Sequence, residues 1–157
     1  MVLVPQGMAA KLDLPSGTLI APRGPYAAVL NVGEECEAST VQIYERGEPA
    51  GKIDLELSAS QDPIKIFRMA WSPDGLYLVF ATRSIVGDRL GRMPSYAYSA
   101  ELNSRVSLDA FFGGVVDSQF RFVSRHVVEI HVEGRAQQKK TVPKKVNLKK
   151  LFADVVD

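Results

Sequence analysis

The chain has a single cysteine, Cys36, among its 157 residues. A lone thiol closes no intramolecular disulfide and supplies neither a thiolate zinc cage nor a redox pair, so Cys36 reads as a small apolar residue. Histidine is nearly as scarce, with only His126 and His131. Both fall on a predicted strand from Arg125 to Val132, and an odd separation along a strand points them to opposite faces. They cannot form a metal pair from one strand. Glu129 and His131 do share a face, and with no nucleophile announced they read as a solvated pair. There is no HExxH pair, nucleophile elbow or glycine-rich phosphate loop. No apolar run approaches the ~20 residues of a membrane-spanning helix, and the formal net charge is only +1. These shortages point away from an enzyme, and no catalytic residue, metal or cofactor is expected. They also speak against nucleic-acid binding and membrane insertion.

What is present is ordinary globular chemistry: 46% apolar and 24% charged residues, in a chain long enough for one domain with its own core. Residues 1–10 stand apart. Val2-Leu3-Val4-Pro5-Gln6-Gly7-Met8-Ala9 reads either as the tail of a secretory signal, with Gly7 and Ala9 at the small-residue positions of a cleavage site, or as a frayed terminus. Residues 11–157 are expected to form a single domain.

That domain repeats itself with a period of about 50 residues. Leu19 to Val32 (LIAPRGPYAAVLNV), Met69 to Thr82 (MAWSPDGLYLVFAT) and Gln119 to Val132 (QFRFVSRHVVEIHV) each read as a short strand, a tight turn and a longer strand. The turns fall at Arg23-Gly24-Pro25, Pro73-Asp74-Gly75 and Val123-Ser124-Arg125. Proline and glycine equip the first two, and the third lacks both. Downstream, Thr40 to Tyr44 alternates and a turn around Gly47-Glu48-Pro49 leads into Lys52 to Leu57. The counterparts are Tyr96 to Ala100, a turn at Asn103-Ser104 and Arg105 to Leu108, then a degenerate Thr141-Val142 and Lys145 to Leu148. Alternation over five to seven residues marks half-buried strands. The predicted fold is therefore all-β: three blade-like, antiparallel, four-stranded repeats in a propeller-like array. Two short helices are expected, one capped by Ser107 and one by Asn147, the second presenting Leu148, Leu151, Phe152 and Val155 on one face. One core is expected from Leu30, Ile43, Met69, Trp71, Leu78, Phe80, Phe120, Phe122, Val128 and Ile130. Three units leave sheet edges open, and the C-terminal helix is the expected cover.

One connection is out of proportion. The link between the second and third strands is short in the outer repeats, about Gly33 to Ser39 and Gly134 to Lys139. In the middle repeat it runs from Arg83 to Pro94, RSIVGDRLGRMP. In repeat proteins such insertions mark one face, often the binding face, and long loops without secondary structure are usually functional. Arg89, Arg92 and Met93 are interface-type side chains, and Pro94 stiffens the segment. The lysines Lys139, Lys140, Lys144, Lys145, Lys149 and Lys150 read as a solubilising tail, and Glu34, Glu35 and Glu37 as a solvated loop.

The signal-like start, the Ser72-Pro73-Asp74-Gly75 hairpin and the protruding GRMPSYAYS segment together resemble a periplasmic immunity protein of the type VI secretion system, of the kind that neutralises a peptidoglycan amidase effector. The resemblance implies a partner: a papain-like cysteine amidase toxin, bound in the periplasm and blocked by a loop inserted in its cleft. It further implies a chain that is monomeric alone and heterodimeric with the toxin. On this chain the contact residues would be Asp88, Arg89, Leu90, Gly91, Arg92, Met93, Pro94, Ser95 and Tyr96. Ser95 would reach the toxin's catalytic pair, Arg89 and Arg92 would anchor the rim, and Met93 would fill an apolar subsite. The competing expectation is a propeller-like scaffold or accessory domain of the cell envelope.

Overall fold

In the computed structural model, residues 17–32, 39–54, 64–84, 94–116, 118–133 and 141–155 are described. Alternating segments become strands β1 (Gly17–Ile20), β2 (Tyr26–Val32), β3 (Ser39–Glu45) and β4 (Glu48–Asp54), which form a first sheet in that order. Strands β5 (Ile64–Trp71), β6 (Tyr77–Ser84), β7 (Ser95–Ser99) and β8 (Ser104–Ser107) form a second sheet in the same way. Strands β9 (Arg121–Phe122), β10 (Val127–Glu133) and β11 (Thr141–Asn147) form a third, ordered β11-β10-β9. All neighbours pair antiparallel, and the sheets do not close into a barrel.

The repeat is written into the hydrogen bonds. The first hairpin of each unit is closed by Ala21 N–H to Tyr26 O (3.0 Å), Ser72 N–H to Tyr77 O (2.7 Å) and Val123 N–H to Val127 O (2.9 Å). The turn is then tied to the chain after the third strand by Arg46 N–H to Pro25 O (2.9 Å), Ala100 N–H to Leu76 O (3.0 Å) and Leu148 N–H to His126 O (2.8 Å). Gly24 and Gly75 take positive φ, 79° and 76°. The third turn has no such residue and spans one residue less between its bonded groups. In the second turn Asp74 supplies the hairpin's missing acceptor: Leu76 N–H (3.1 Å) and the Ser72 hydroxyl both donate to its Oδ1.

The second sheet is buried on both faces. Met69, Trp71, Leu78 and Phe80 meet Ala28, Leu30, Val41 and Ile43 of the first sheet. Tyr77, Val79, Ala81 and Ala97 meet Val128, Ile130, Val132 and Phe120 of the third. The single core expected from sequence is thus two, one on either side of the middle sheet, with Phe122 only packed against the second. Among the described residues the stack ends at the third sheet, for a reason visible in the register. Tyr26, Ala28 and Leu30, then Tyr77, Val79 and Ala81, occupy the face turned toward the next sheet, and the same positions of β10 hold Val127, Glu129 and His131. Glu129 on that last face pairs with Arg121 (3.4 Å) rather than with another sheet.

Long-range polar bonds lock adjacent sheets. The Trp71 indole N–H donates to Leu19 O (2.8 Å). The Arg68 guanidinium donates to Ser118 O and lies over the Phe120 ring, 4.5 Å from its centroid. Within the second sheet itself, the Tyr98 hydroxyl, packed in the core shared with the first, donates to Asn103 Oδ1 (2.6 Å). Burial first, then the nearby Tyr26, pushes the Tyr98 hydroxyl up to about 12. A group whose pKa rises on folding favours the folded state fully below its unfolded pKa of ~10. That contribution is expected to fall away as pH rises from ~10 to the folded value. Tyr98→Phe should flatten the loss of stability over this window in urea titrations, and a wild-type-like slope in the variant would assign the loss to other groups.

Three expectations need correction. Among the described residues the third sheet has three strands, not four. Thr141 to Asn147 is one continuous strand, because no turn residues separate Val142 from Lys145. Its inner strand is broken as well: β9 is two residues long, and Val115 bridges to Val132 further along β10. The expected helices do form, as α1 (Leu108–Phe112) and α2 (Leu148–Val155), capped by Ser107 Oγ accepting Ala110 N–H (3.2 Å) and Asn147 Oδ1 accepting Lys150 N–H (3.1 Å). But α2 does not cover a sheet edge. Leu148, Leu151 and Phe152 turn into the second core, and Phe152 stacks on Tyr77 at 5.5 Å.

Candidate functional site

The three hairpin turns converge at one end of the sheets. A Cβ built on Gly75 would strike the Arg23 carbonyl, and Asp74 N–H points to Arg125 O at 3.4 Å. Strands that begin at this end must finish at the other. The second-to-third-strand connections therefore all leave from the far end, where Val32 pairs with Ser39 and Glu133 with Thr141. The connection between Ser84 and Pro94 belongs to the same end.

The root of that middle connection is held by two side chains, those of Thr82 and Asp109. Thr82, fully within β6, sends both its backbone N–H (2.8 Å) and its hydroxyl (2.6 Å) to Pro94 O. One turn further on, the Asp109 carboxylate of α1 accepts Ser95 N–H on Oδ1 (2.8 Å) and Val115 N–H on Oδ2 (2.9 Å). Thr82 thus cross-links the two arms of the connection, and Asp109 ties its return to the third sheet. Neither residue stands out in the sequence. Asp109 reads there only as an acidic residue in the first turn of a helix, and nothing in its spacing points it toward residues 95 and 115.

Of the residues expected to contact a partner, Asp88, Arg89, Leu90, Gly91, Arg92 and Met93 lie outside the described residues. So do residues 1–10, Cys36, Glu34, Glu35, Glu37, Lys139 and Lys140. Pro94 is exposed. Ser95 is fully buried (0% exposed), on the face of β7 turned toward the third sheet. The hydroxyl expected to reach a partner is inside the fold, because an odd step from the exposed Pro94 onto the strand points it inward. Tyr96 is half-buried, stacked on Phe80 (5.4 Å) with the Arg105 guanidinium 5.4 Å from its ring. His126 sits in the third turn, not on the strand, with Nδ1 3.9 Å from Asp74 Oδ2. His131 and Glu129 share the outer face of β10, as their spacing requires.

Asp109→Asn tests the root. An amide keeps one acceptor and turns an N–H₂ toward a second backbone N–H, leaving a donor unpaired at a cost of ~1–3 kcal/mol. The expected result is that loss in urea unfolding, with faster hydrogen exchange at the Ser95 and Val115 amides. Unchanged exchange at both would mean that Asp109 does not hold them.

No family model matches the chain, and no curated protein does. A crystal structure of a puromycin hydrolase mutant complexed with PGG matches with a TM-score of 0.46 and 17% identity, over 86% of this chain and 20% of that one. The chain thus spans a fifth of the length of the solved chain it matches.

Proposed function

We propose that the chain is a propeller-like, three-blade immunity protein that binds a secreted cysteine amidase toxin in the periplasm and plugs its active-site cleft with residues 83–96. The observation that carries the reading is the stapled root. The connection from Ser84 to Ser95, longer than its counterparts from Val32 to Ser39 and from Glu133 to Thr141, leaves a sheet buried on both faces, and Thr82 and Asp109 fix its return. Holding a loop at its base lowers the ordering cost when it enters a cleft. The near-identical hydrogen bonds of the three hairpins support the blade-like reading of the repeat, and the SPDG hairpin fits the family resemblance. In this reading Asp88 to Pro94 make the contact, with Arg89 and Arg92 on the rim and Met93 in an apolar subsite. Ser95 and Tyr96 belong to the root. The protein performs no chemistry itself and acts by excluding substrate.

The test is a pull-down against the protein encoded beside this one in its genome, followed by cell-wall digestion with and without the complex. A one-to-one complex that silences digestion is expected. A complex that leaves digestion untouched would reject inhibition. The second reading, a propeller-like scaffold of the cell envelope, is favoured by a different observation: β11 is an edge strand whose residues 141–145 are all exposed. A scaffold piece of this kind should self-associate, whereas an immunity protein should scatter light as a monomer until its toxin is added.

A further inference from the structure

Sheets one and two each complete their order with a fourth strand, β4 or β8, and sheet three does not. Among the described residues its outer strand β11 is left as an edge with no further strand on it. Residues 141–145 are all exposed, Val142 at 41% among them, while α2 lies against the second core instead.

The backbone groups on that edge can be identified. Val116 N–H donates to His131 O (3.0 Å) and Glu133 N–H to Gly114 O (2.9 Å), so His131 and Glu133 direct their backbone groups away from β11. Their partners across the ladder are Pro143 and Thr141. In an antiparallel pair, residues opposite such positions point their own groups outward. Thr141 and Lys145 therefore offer N–H and C=O to the open edge, and Pro143 offers C=O alone. An incoming strand can make every ladder bond except the one that Pro143 lacks.

The charge on β11 itself is all positive. Lys144 and Lys145 lie on it, and Lys149 and Lys150 follow on the first turn of α2, all four exposed. Glu129 lies opposite Lys145 but is engaged by Arg121. These residues select the occupant. Pairing two copies of β11 would place Lys144 and Lys145 of each on one short ladder and forfeit a donor at both prolines, which is how natural edges resist self-association. An extended segment carrying carboxylates meets the opposite situation.

We infer that the open edge of β11 binds an extended, acidic segment of a partner protein, which adds antiparallel as the missing fourth strand of the third sheet. The segment's carboxylates face Lys144 and Lys145, and an apolar side chain covers Val142. Main-chain bonds supply affinity in this mode of recognition and the side chains supply selectivity. The inference does not depend on the amidase reading.

The probe is a blocked Glu-Glu-Thr-Val-Thr peptide, whose antiparallel register sets its carboxylates beside Lys145 and Lys144 and its valine beside Val142, with Lys-Lys-Thr-Val-Thr as its control. Binding is followed by amide hydrogen exchange and by anisotropy of a labelled peptide at low salt. The glutamate peptide should slow exchange at the Thr141 and Lys145 amides, and the lysine peptide should not. Reversing Lys144 and Lys145 to Glu should weaken binding about tenfold. Lys145→Pro, which removes an outward N–H and no bond to β10, should weaken it while leaving the unfolding midpoint unchanged. Equal binding of both peptides, no protection at the two amides, or displacement by oligothymidylate without amide protection would each overturn the inference. So would protection that grows with protein concentration alone, since that would make the edge a self-association site.

Discussion

Substituting alanine for Gly75 is expected to lower the unfolding free energy by about 2–4 kcal/mol, whereas Gly24→Ala should cost only about 1–2 kcal/mol. The two glycines have nearly the same positive φ, 76° and 79°, so local strain is common to both. They differ in surroundings. Nothing lies within 4 Å of a Cβ at Gly24, but a Cβ at Gly75 meets the Arg23 carbonyl and the Ala21 methyl group. The extra loss at Gly75 therefore measures how tightly the first two hairpin turns are held together. Urea unfolding followed by the fluorescence of the single tryptophan reads it directly. Equal losses for the two variants would mean that the turns separate freely and that the sheets are joined by their cores alone.

Trp71→Ala is expected to remove about 3–5 kcal/mol, a large share of the ~5–15 kcal/mol typical of a whole domain. Trp71 fills the first core beside Tyr26, 6.3 Å between ring centroids, and its indole N–H satisfies Leu19 O on the neighbouring sheet. Trp71→Phe separates these roles, keeping most of the ring and losing the bond, and should cost about 1–3 kcal/mol. Circular dichroism must follow both variants, since the fluorophore is gone. A Trp71→Phe loss as large as that of alanine would place the weight on the bond between sheets rather than on packing.

The parts of this fold legible in the sequence are those decided locally. The hairpin at Ser72 to Gly75 follows from an Asp side chain able to accept two nearby donors and a glycine able to take positive φ. The caps at Ser107 and Asn147 follow from short polar side chains placed just before a leucine that enters the core. Period-two alternation marked the strands, and the spacing of about 50 residues marked three units that share equivalent hairpin bonds. Parity placed His131 and Glu129 together on one face.

What was hidden depends on distance along the chain. Nothing local tells that Val79 and Ala81 serve a second core while Leu78 and Phe80 serve the first, because a strand buried on both faces loses the contrast between its faces. The Lys145-Val146-Asn147-Leu148 signature matches the fourth strands of earlier repeats, yet it closes a third strand, since its position depends on a turn that the preceding residues do not supply. Ser95 looked like the tip of a rigid loop because Pro94 precedes it. One peptide further the chain has already joined β7, and the side chain points inward. The Asp109 clamp joins residues 14 apart on one side and six on the other, a convergence that no spacing rule announces.

The proposed inhibitory element is the connection between β6 and β7. Its most direct measurement is a titration of cell-wall digestion by the neighbouring gene's product against wild-type protein and a variant with residues 88–93 replaced by a glycine-serine segment of equal length, which leaves Thr82, Pro94 and Asp109 in place. The account predicts complete inhibition at one equivalent of wild type and none by the variant at any attainable excess, with unchanged unfolding midpoints. Full inhibition by the variant at one equivalent would contradict it and move the inhibitory contact to another surface of the protein.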